Sequence, residues 1–336
     1  MRTIDVIIPT LRPGESFEKL LKRLLLQRVP VRRVLVANTE ESGWDAARFA
    51  PLFEEAGTEL SVWHLSRAEF DHGRTRHEAI LRSDADMVVC MTQDCIPYDR
   101  DLIGNLEAAL YAAPDIAAAY ARQLPAADCS ALERLTRQFN YPPTGRVKGK
   151  ADLDELGIKT FFCSNVCAAY KRDLYLELGG FIRRTIFNED MIFAARAVEA
   201  GYRIAYAANA QVIHSHNYTP VQQIRRNFDL AVSQADHPEI FQAVSSEGEG
   251  LRLVKETAAR LWRSGRAAQI PRLIVQSGCK YAGYVLGKHY KRLPRPLVLA
   301  LTTNRAYWEE DGAKREDGMR DKEKSAAAQA DGGRDG

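Results

Sequence analysis

The sequence predicts an α/β fold, a doubly wound, mainly parallel sheet flanked by helices, followed by a helical C-terminal appendage. Short apolar runs that end in breakers read as strands buried on both faces. Amphipathic stretches of helical period separate these runs, and such alternation is how a parallel sheet with covering helices is written. After Tyr218 the strand-like runs stop and only helical patterns continue.

Taken in order, Ile4 to Pro9 is the first strand, and Phe17, Leu20, Leu21, Leu24 and Leu25 repeat at the spacing of a helix face. Val34 to Val36 is a second strand, followed by a helical Asp45 to Glu55 and a strand-like Leu60 to Leu65. Thr75 to Arg82 reads as helix, Met87 to Met91 as strand, Leu102 to Ala112 as helix and Ile116 to Tyr120 as strand. From Cys129 the rhythm changes to a helix over Leu132 to Phe139, a polar loop from Tyr141 to Lys150 and a strand over Val166 to Tyr170. Tyr202 to Tyr206 and Ala210 to Ile213 read as two late short strands. The predicted organisation is a catalytic unit over 1–218, a basic helical region over 219–308 and a disordered tail over 309–336, where apolar anchors are nearly absent.

The 336 residues suffice for a sizeable core. No stretch approaches the roughly 20 apolar residues a spanning helix needs, and MRTIDVIIPT lacks the layout of a signal peptide, so a cytoplasmic chain is expected. The six cysteines lack the spacing of a disulfide framework and are read as reduced, with Cys163 and Cys167 as buried small hydrophobes rather than zinc ligands. The net charge of +3 gives no case for a nucleic-acid partner, but it conceals a block at 251–297 with eleven Lys or Arg against one acid, Glu256. Interleaved with Trp262, Tyr281, Tyr284 and Tyr290, that block reads either as a face for an anionic partner, an inner-membrane surface first, or as a solvated helical face.

In an α/β sheet of this kind ligands collect where loops leave the carboxyl ends of the strands. The first such loop, Pro9-Thr10-Leu11-Arg12-Pro13-Gly14, has neither the three glycines of a dinucleotide fold nor a P-loop, so phosphates must be met by metal or side chains. Val88 to Met91 delivers one carboxylate, Asp94, just before Pro97. A hard divalent cation takes one or two such oxygens and completes its shell with phosphate and water; the plainer reading is that Asp94 caps a turn. Asn188-Glu189-Asp190 precedes an apolar helical pattern, placing Asn188 at the N-cap and both acids in the first turn, where they also complement the helix dipole. At Phe70 to Arg76, the backbone amides from Gly73 and the Arg76 side chain at a helix start would favour an anion such as a diphosphate, the plainer reading being a solvated helix start.

The order VIIPT, TQDCIP, SNVCAAYKRDLYLELGGF, FNEDMIFAARAVEAGY and HSH resembles family 2 of the inverting glycosyltransferases, whose fold is the Rossmann-like GT-A fold. FDHGRTRHEA, ARQLP and FNYP narrow the resemblance to bacterial rhamnosyltransferases of polysaccharide assembly. The resemblance spans about Thr3 to Tyr218 and implies a nucleotide-diphosphate sugar donor, plausibly dTDP-L-rhamnose, a glycan or lipid-linked acceptor, and Mg2+ or Mn2+.

The family's DxD metal motif falls on Thr92-Gln93-Asp94, which keeps only its second acid. His214 or His216, which alternation puts on one side of a strand end, is implied to complete the shell, spacing alone not choosing between them. The family's base falls on Asp190, with Glu189 beside it as the reserve. Donor contacts are expected from Pro9, Thr10, Asn38, Gln93 and Asn165 as well as Gly73 and Arg76; Asn38 stands where many members carry an acid. The competing functions are a sugar-phosphate nucleotidyltransferase, which should carry a glycine-rich loop after the first strand, and a non-catalytic scaffold in glycan assembly.

Overall fold

The computed structural model describes residues 2–242 and 247–309, so the tail predicted from 309 onward lies, apart from Glu309, outside the described residues. The first half runs β1 (Ile4–Leu11), α1 (Glu15–Leu24), β2 (Arg33–Thr39), α2 (Ala46–Ala56), β3 (Glu59–Leu65), α3 (His72–Leu81), β4 (Met87–Met91), β5 (Ile96–Pro97) and α4 (Leu102–Leu110). It continues through β6 (Ile116–Leu124), α5 (Ala131–Asn140), β7 (Arg146–Lys148), α6 (Leu153–Leu156), β8 (Cys167–Lys171), α7 (Arg172–Glu177), α8 (Glu189–Glu199) and β9 (Arg203–Ile213). The appendage is α9 (Pro220–Asp236), α10 (Pro238–Phe241), α11 (Glu247–Arg263), α12 (Ile270–Lys288) and α13 (Arg295–Leu301).

The strands form one sheet in the order β3-β2-β1-β4-β8-β6-β9-β5, with β7 on β9. β3, β2, β1 and β4 are parallel, as are β6 and β9, whereas β8 enters antiparallel between β4 and β6. The parallel character thus belongs to β3-β2-β1-β4 and to the β6–β9 pair, and the whole sheet is mixed. A strand covered on both faces is apolar throughout whichever way it runs, so composition carries no record of direction.

Alternation along each strand divides the core between the two faces. Val6 and Ile8 of β1 and Met87, Val89 and Met91 of β4 pack with Phe17, Phe49 and Leu106 of α1, α2 and α4. Ile7, Val88 and Cys90 face the other way, onto Ile80, Ile192 and Phe193 of α3 and α8. Five of the six cysteines are buried and all are free.

Two expectations need correction. The segments at 202–206 and 210–213 are one strand, β9, whose register against β6 shifts between Ala121 and Arg122; the irregularity interrupts the apolar pattern and mimics a break. The loop expected over 141–150 contains β7, a short strand with two of its three residues exposed and hence no apolar signature.

In the appendage α9 and α12 cross closely because α12 has glycines at the contact. A Cβ at Gly283 would lie 2.2 Å from the Ile224 carbonyl oxygen, and one at Gly287 2.3 Å from that of Phe228. Phe228, Val232, Val298 and Trp308 close over Ile186, in the segment leading to α8. Asp229 ties this arrangement down, accepting from Thr302 Oγ1 at 2.7 Å and from the Thr303 amide at 2.7 Å. The appendage is therefore packed onto the chain that presents Glu189 and Asp190.

Candidate active site

Asp94 leaves β4 on a tight turn, in which the Cys95 amide bonds the Thr92 carbonyl at 3.1 Å. The two residues of β5 then pair antiparallel with the end of β9, Ile96 opposite Ile213 and Pro97 opposite Val212. That register carries Asp94 alongside the residues just past Ile213. The carboxylate oxygens lie 3.5 Å from His214 Nε2 and 3.2 Å from His216 Nε2, and the two Nε2 atoms are 3.0 Å apart. Among the described residues this is the cluster able to hold a metal, its three donor atoms lying within 4.8 Å of one another. Both histidines are brought beside Asp94.

The tautomer of His214 follows from its neighbours. Its Nδ1 is 3.0 Å from Gln123 Oε1, an oxygen that also accepts from Arg137, while Gln123 Nε2 donates to Ser164 Oγ at 3.1 Å. An arginine only donates, so the carboxamide orientation is fixed and Nδ1 must carry the hydrogen, leaving the Nε2 lone pair toward Asp94. Burial pushes His214 down to about 3, so the imidazole is neutral and able to ligate. Burial raises the Asp94 carboxyl, but the hydrogen bond from His216 and the two adjacent imidazoles outweigh it and hold it well below the usual range. Two nitrogens and one carboxylate form a chemically sound set for a divalent ion.

Asp190 and Glu189 open α8. Asn188 stands at the N-cap position as expected but does not cap: it is in the left-handed region at φ 64°, and its Nδ2 reaches the Leu230 carbonyl at 3.3 Å. Asp190 is held instead by two backbone amides, Asn165 N on Oδ2 and Met191 N on Oδ1, each at 2.8 Å. Burial, then the adjacent Glu189 charge, pushes its carboxyl up to about 7. Glu189 moves oppositely: burial raises it, but Arg76 and His72 prevail and keep it below the ordinary value.

Arg76 and Asn165 serve these acids. The Arg76 guanidinium meets Glu189 at 3.0 Å with both side chains buried, and Asn165 Nδ2 donates to Glu189 at 3.0 Å while its Oδ1 accepts from Tyr170 at 2.8 Å. The anion subsite expected at the start of α3 is filled by the protein itself, since Asp71 Oδ1 accepts from the amides of Gly73 and Arg74 at 2.8 and 3.0 Å. Gly73 is needed for packing, because a Cβ there would lie 1.9 Å from the Ile182 carbonyl oxygen.

The remaining donor candidates gather at the ends of β1, β2 and β4. Thr10 Oγ1 donates to Asn38 Oδ1 at 3.0 Å, and Asn38 Nδ2 bonds the Glu40 carbonyl at 3.1 Å and His64 Nδ1 at 3.0 Å. Gln93 stitches the Asp94 loop to the first loop, accepting from Leu11 N at 2.9 Å and donating to Leu11 O at 3.3 Å. Pro9 precedes them within β1, opposite Ala37.

Some participants carry no signal in the sequence. Gln123 bonds His214 and is itself bonded to Arg137 and Ser164, and Ser164 precedes Asn165 in the chain, so hydrogen bonds and one peptide link join the Asp94 cluster to Asp190. From the appendage, Arg226 of α9 lies over Phe187 at 4.8 Å and Tyr218 at 5.5 Å, and Tyr218 in turn stacks on His216 at 5.0 Å. These depend on tertiary proximity, which no local spacing reports.

Residues 2–229 match the family described as Glycosyltransferase like family 2. The chain is 38% identical over 307 residues, 91% of its length and 96% of the relative's, to the O-antigen chain rhamnosyltransferase RfbN of Salmonella typhimurium strain LT2. It is 41% identical over 246 residues, 73% of its length and 78% of the relative's, to the O-antigen chain rhamnosyltransferase WbaN of Salmonella anatum. Its fold is similar, with a TM-score of 0.53 at 18% identity over 93% of this chain and 86% of the other, to the mannosyltransferase PcManGT of Pyrobaculum calidifontis, solved with GDP-Man and Mn2+. With its GT-A-like sheet, its ordered motifs and relatives aligned over most of its length, the chain belongs to the family 2 glycosyltransferases and is an enzyme of glycosyl transfer.

Proposed function

We propose that the chain moves an L-rhamnosyl group, with inversion, from dTDP-L-rhamnose to a hydroxyl of a growing cell-surface glycan of the O-antigen kind. The acceptor in this reading is lipid-linked and worked on at the inner membrane face. The named activity of the two relatives supports the sugar and the glycan.

The observation that carries the chemistry is the Asp190 carboxylate, fixed by two backbone amides and raised to about 7. A base matched to neutral pH takes the acceptor proton as the hydroxyl oxygen attacks the anomeric carbon. The bond to the diphosphate then breaks on the opposite face. Glu189, kept ionised by its pairing with Arg76, holds that pKa up rather than taking the proton itself.

Asp94, His214 and His216 are the residues that would hold the divalent ion, and two imidazoles suit Mn2+ better than Mg2+, which prefers oxygen. Such an ion, when bound, supplies positive charge beside the leaving diphosphate. Pro9, Thr10, Asn38 and Gln93 shape the nucleoside end of the donor site, with Asn38 acting through the Thr10, Glu40 and His64 bonds it makes.

The test is a panel of nucleotide sugars with Mn2+ or Mg2+, followed by nucleotide release. Consumption of dTDP-L-rhamnose alone, slowed about 10²–10⁴-fold in Asp190→Asn, is the expected result; use of another donor in its place would overturn the sugar assignment.

A further inference from the structure

Helix α12 has its polarity inverted. Its glycine face is pressed against α9, and Lys280, the one charged residue between 273 and 287, is turned inward. There burial, together with Arg137 and Arg226, pulls the ammonium below its ordinary pKa against the opposing pull of Glu133. The side exposed to solvent is apolar instead. Ile274, Gly278, Tyr281 and Val285 fall at i, i+4, i+7 and i+11, a single stripe about 16 Å long.

In that stripe Ile274 is 61%, Tyr281 61% and Val285 37% exposed, with Val275 beside it at 58% and Trp262, at the end of α11, at 72%. A soluble surface rarely presents its large apolar residues along one helix face with no charge among them. Cations bracket the stripe: Arg263, Arg266 and Arg272 on one side in sequence, Lys291, Arg292 and Arg295 on the other, all exposed.

We infer that the outer face of α12 is a docking surface for a lipid bilayer carrying anionic headgroups, on which the helix lies in the plane of the interface. An apolar stripe with basic flanks and an exposed tryptophan is the arrangement that buries side chains at the acyl boundary while the cations meet anionic headgroups. No helix among the described residues is long and apolar enough to cross a membrane, so the contact is made from one side. A second copy of the chain is a poorer occupant. A two-fold contact sets a patch against itself, and region 251–297 would oppose eleven cations to eleven with one acid on each side.

The surface does not depend on which sugar is moved, but it bears on how the acceptor arrives. Lys280 faces Arg137 and Glu133 from the reverse side of the same helix, and Arg137 bonds the Gln123 that holds His214. The network around the metal-binding cluster therefore sits behind one helix thickness, about 10 Å, of lipid-facing structure.

The experiment is co-sedimentation of the full chain with phosphatidylcholine vesicles, with and without about 30% phosphatidylglycerol, at low and high salt. The wild type should bind only the anionic vesicles, and less as salt rises. Ile274→Glu with Tyr281→Glu should lower the bound fraction about tenfold or more while circular dichroism and donor consumption in detergent-free solution stay as they were. Equal binding to neutral vesicles, no binding to either, or undiminished binding by the double variant would overturn the inference. So would sedimentation velocity showing a wild-type dimer that the double variant breaks, which gives the face to a second copy. Vesicle binding without consumption of any nucleotide sugar would instead sink the proposed transfer and leave the surface standing.

Discussion

At the scale of single residues, the site works by setting two adjacent acids apart. Glu189 is paid its countercharge by Arg76, and Asp190 is left to feel both burial and Glu189. Because a base acts in its ionised form, kcat/KM should rise with pH through a midpoint near 7 and be lost below it. Glu189→Gln removes the like charge, so the midpoint should move to lower pH; an unmoved pH profile would show that Glu189 does not set it. Asp190→Asn should cost about 10²–10⁴ in kcat with donor affinity unchanged. For the metal cluster the informative change lies outside the ligands. Gln123→Ala frees the His214 ring to change tautomer, and Mn2+ affinity should fall about 10–100-fold by calorimetric titration with the far-ultraviolet spectrum preserved.

At the scale of elements, β1, β2 and β4 were legible because their apolar runs are covered on both faces, whereas β3, at the sheet edge, is only partly buried and was legible from its residue types and flanking helices. Asp94 and Asp190 were legible for a related reason, each being fixed by a local device, a strand end and a helix start. What brings Asp94 to His214 and His216 is the pairing of β5, two residues long, with β9, and no periodicity marks a strand so short. The start of α3 misled for the opposite reason. Its sequence looks open to an anion, but Asp71 is close enough to take the amides first, and Arg76 is drawn into the interior by Glu189. The α9–α12 contact hangs on glycine, so Gly283→Ala should destabilise by about 1–3 kcal/mol through the clash with the Ile224 carbonyl, read as a lower thermal midpoint.

At the scale of the whole molecule, two parts meet in one body: a sheet that presents the Asp94, His214 and His216 cluster and the buried Asp190 at its loop ends, and a helical appendage that closes over the approach to α8. Arg226 stands over Phe187 and Tyr218 between those parts, so the appendage contributes to the site as well as bordering it. The central claim is inverting transfer with Asp190 as base. It is tested most directly by presenting dTDP-L-rhamnose, Mn2+ and a lipid-linked glycan to wild type and Asp190→Asn, and reading the anomeric configuration of the product by NMR. The account predicts a rhamnoside of configuration opposite to the donor's, formed by the wild type and reduced about 10²–10⁴-fold in rate by the substitution. A product that keeps the donor's configuration, or an Asp190→Asn enzyme as fast as the wild type, would contradict it.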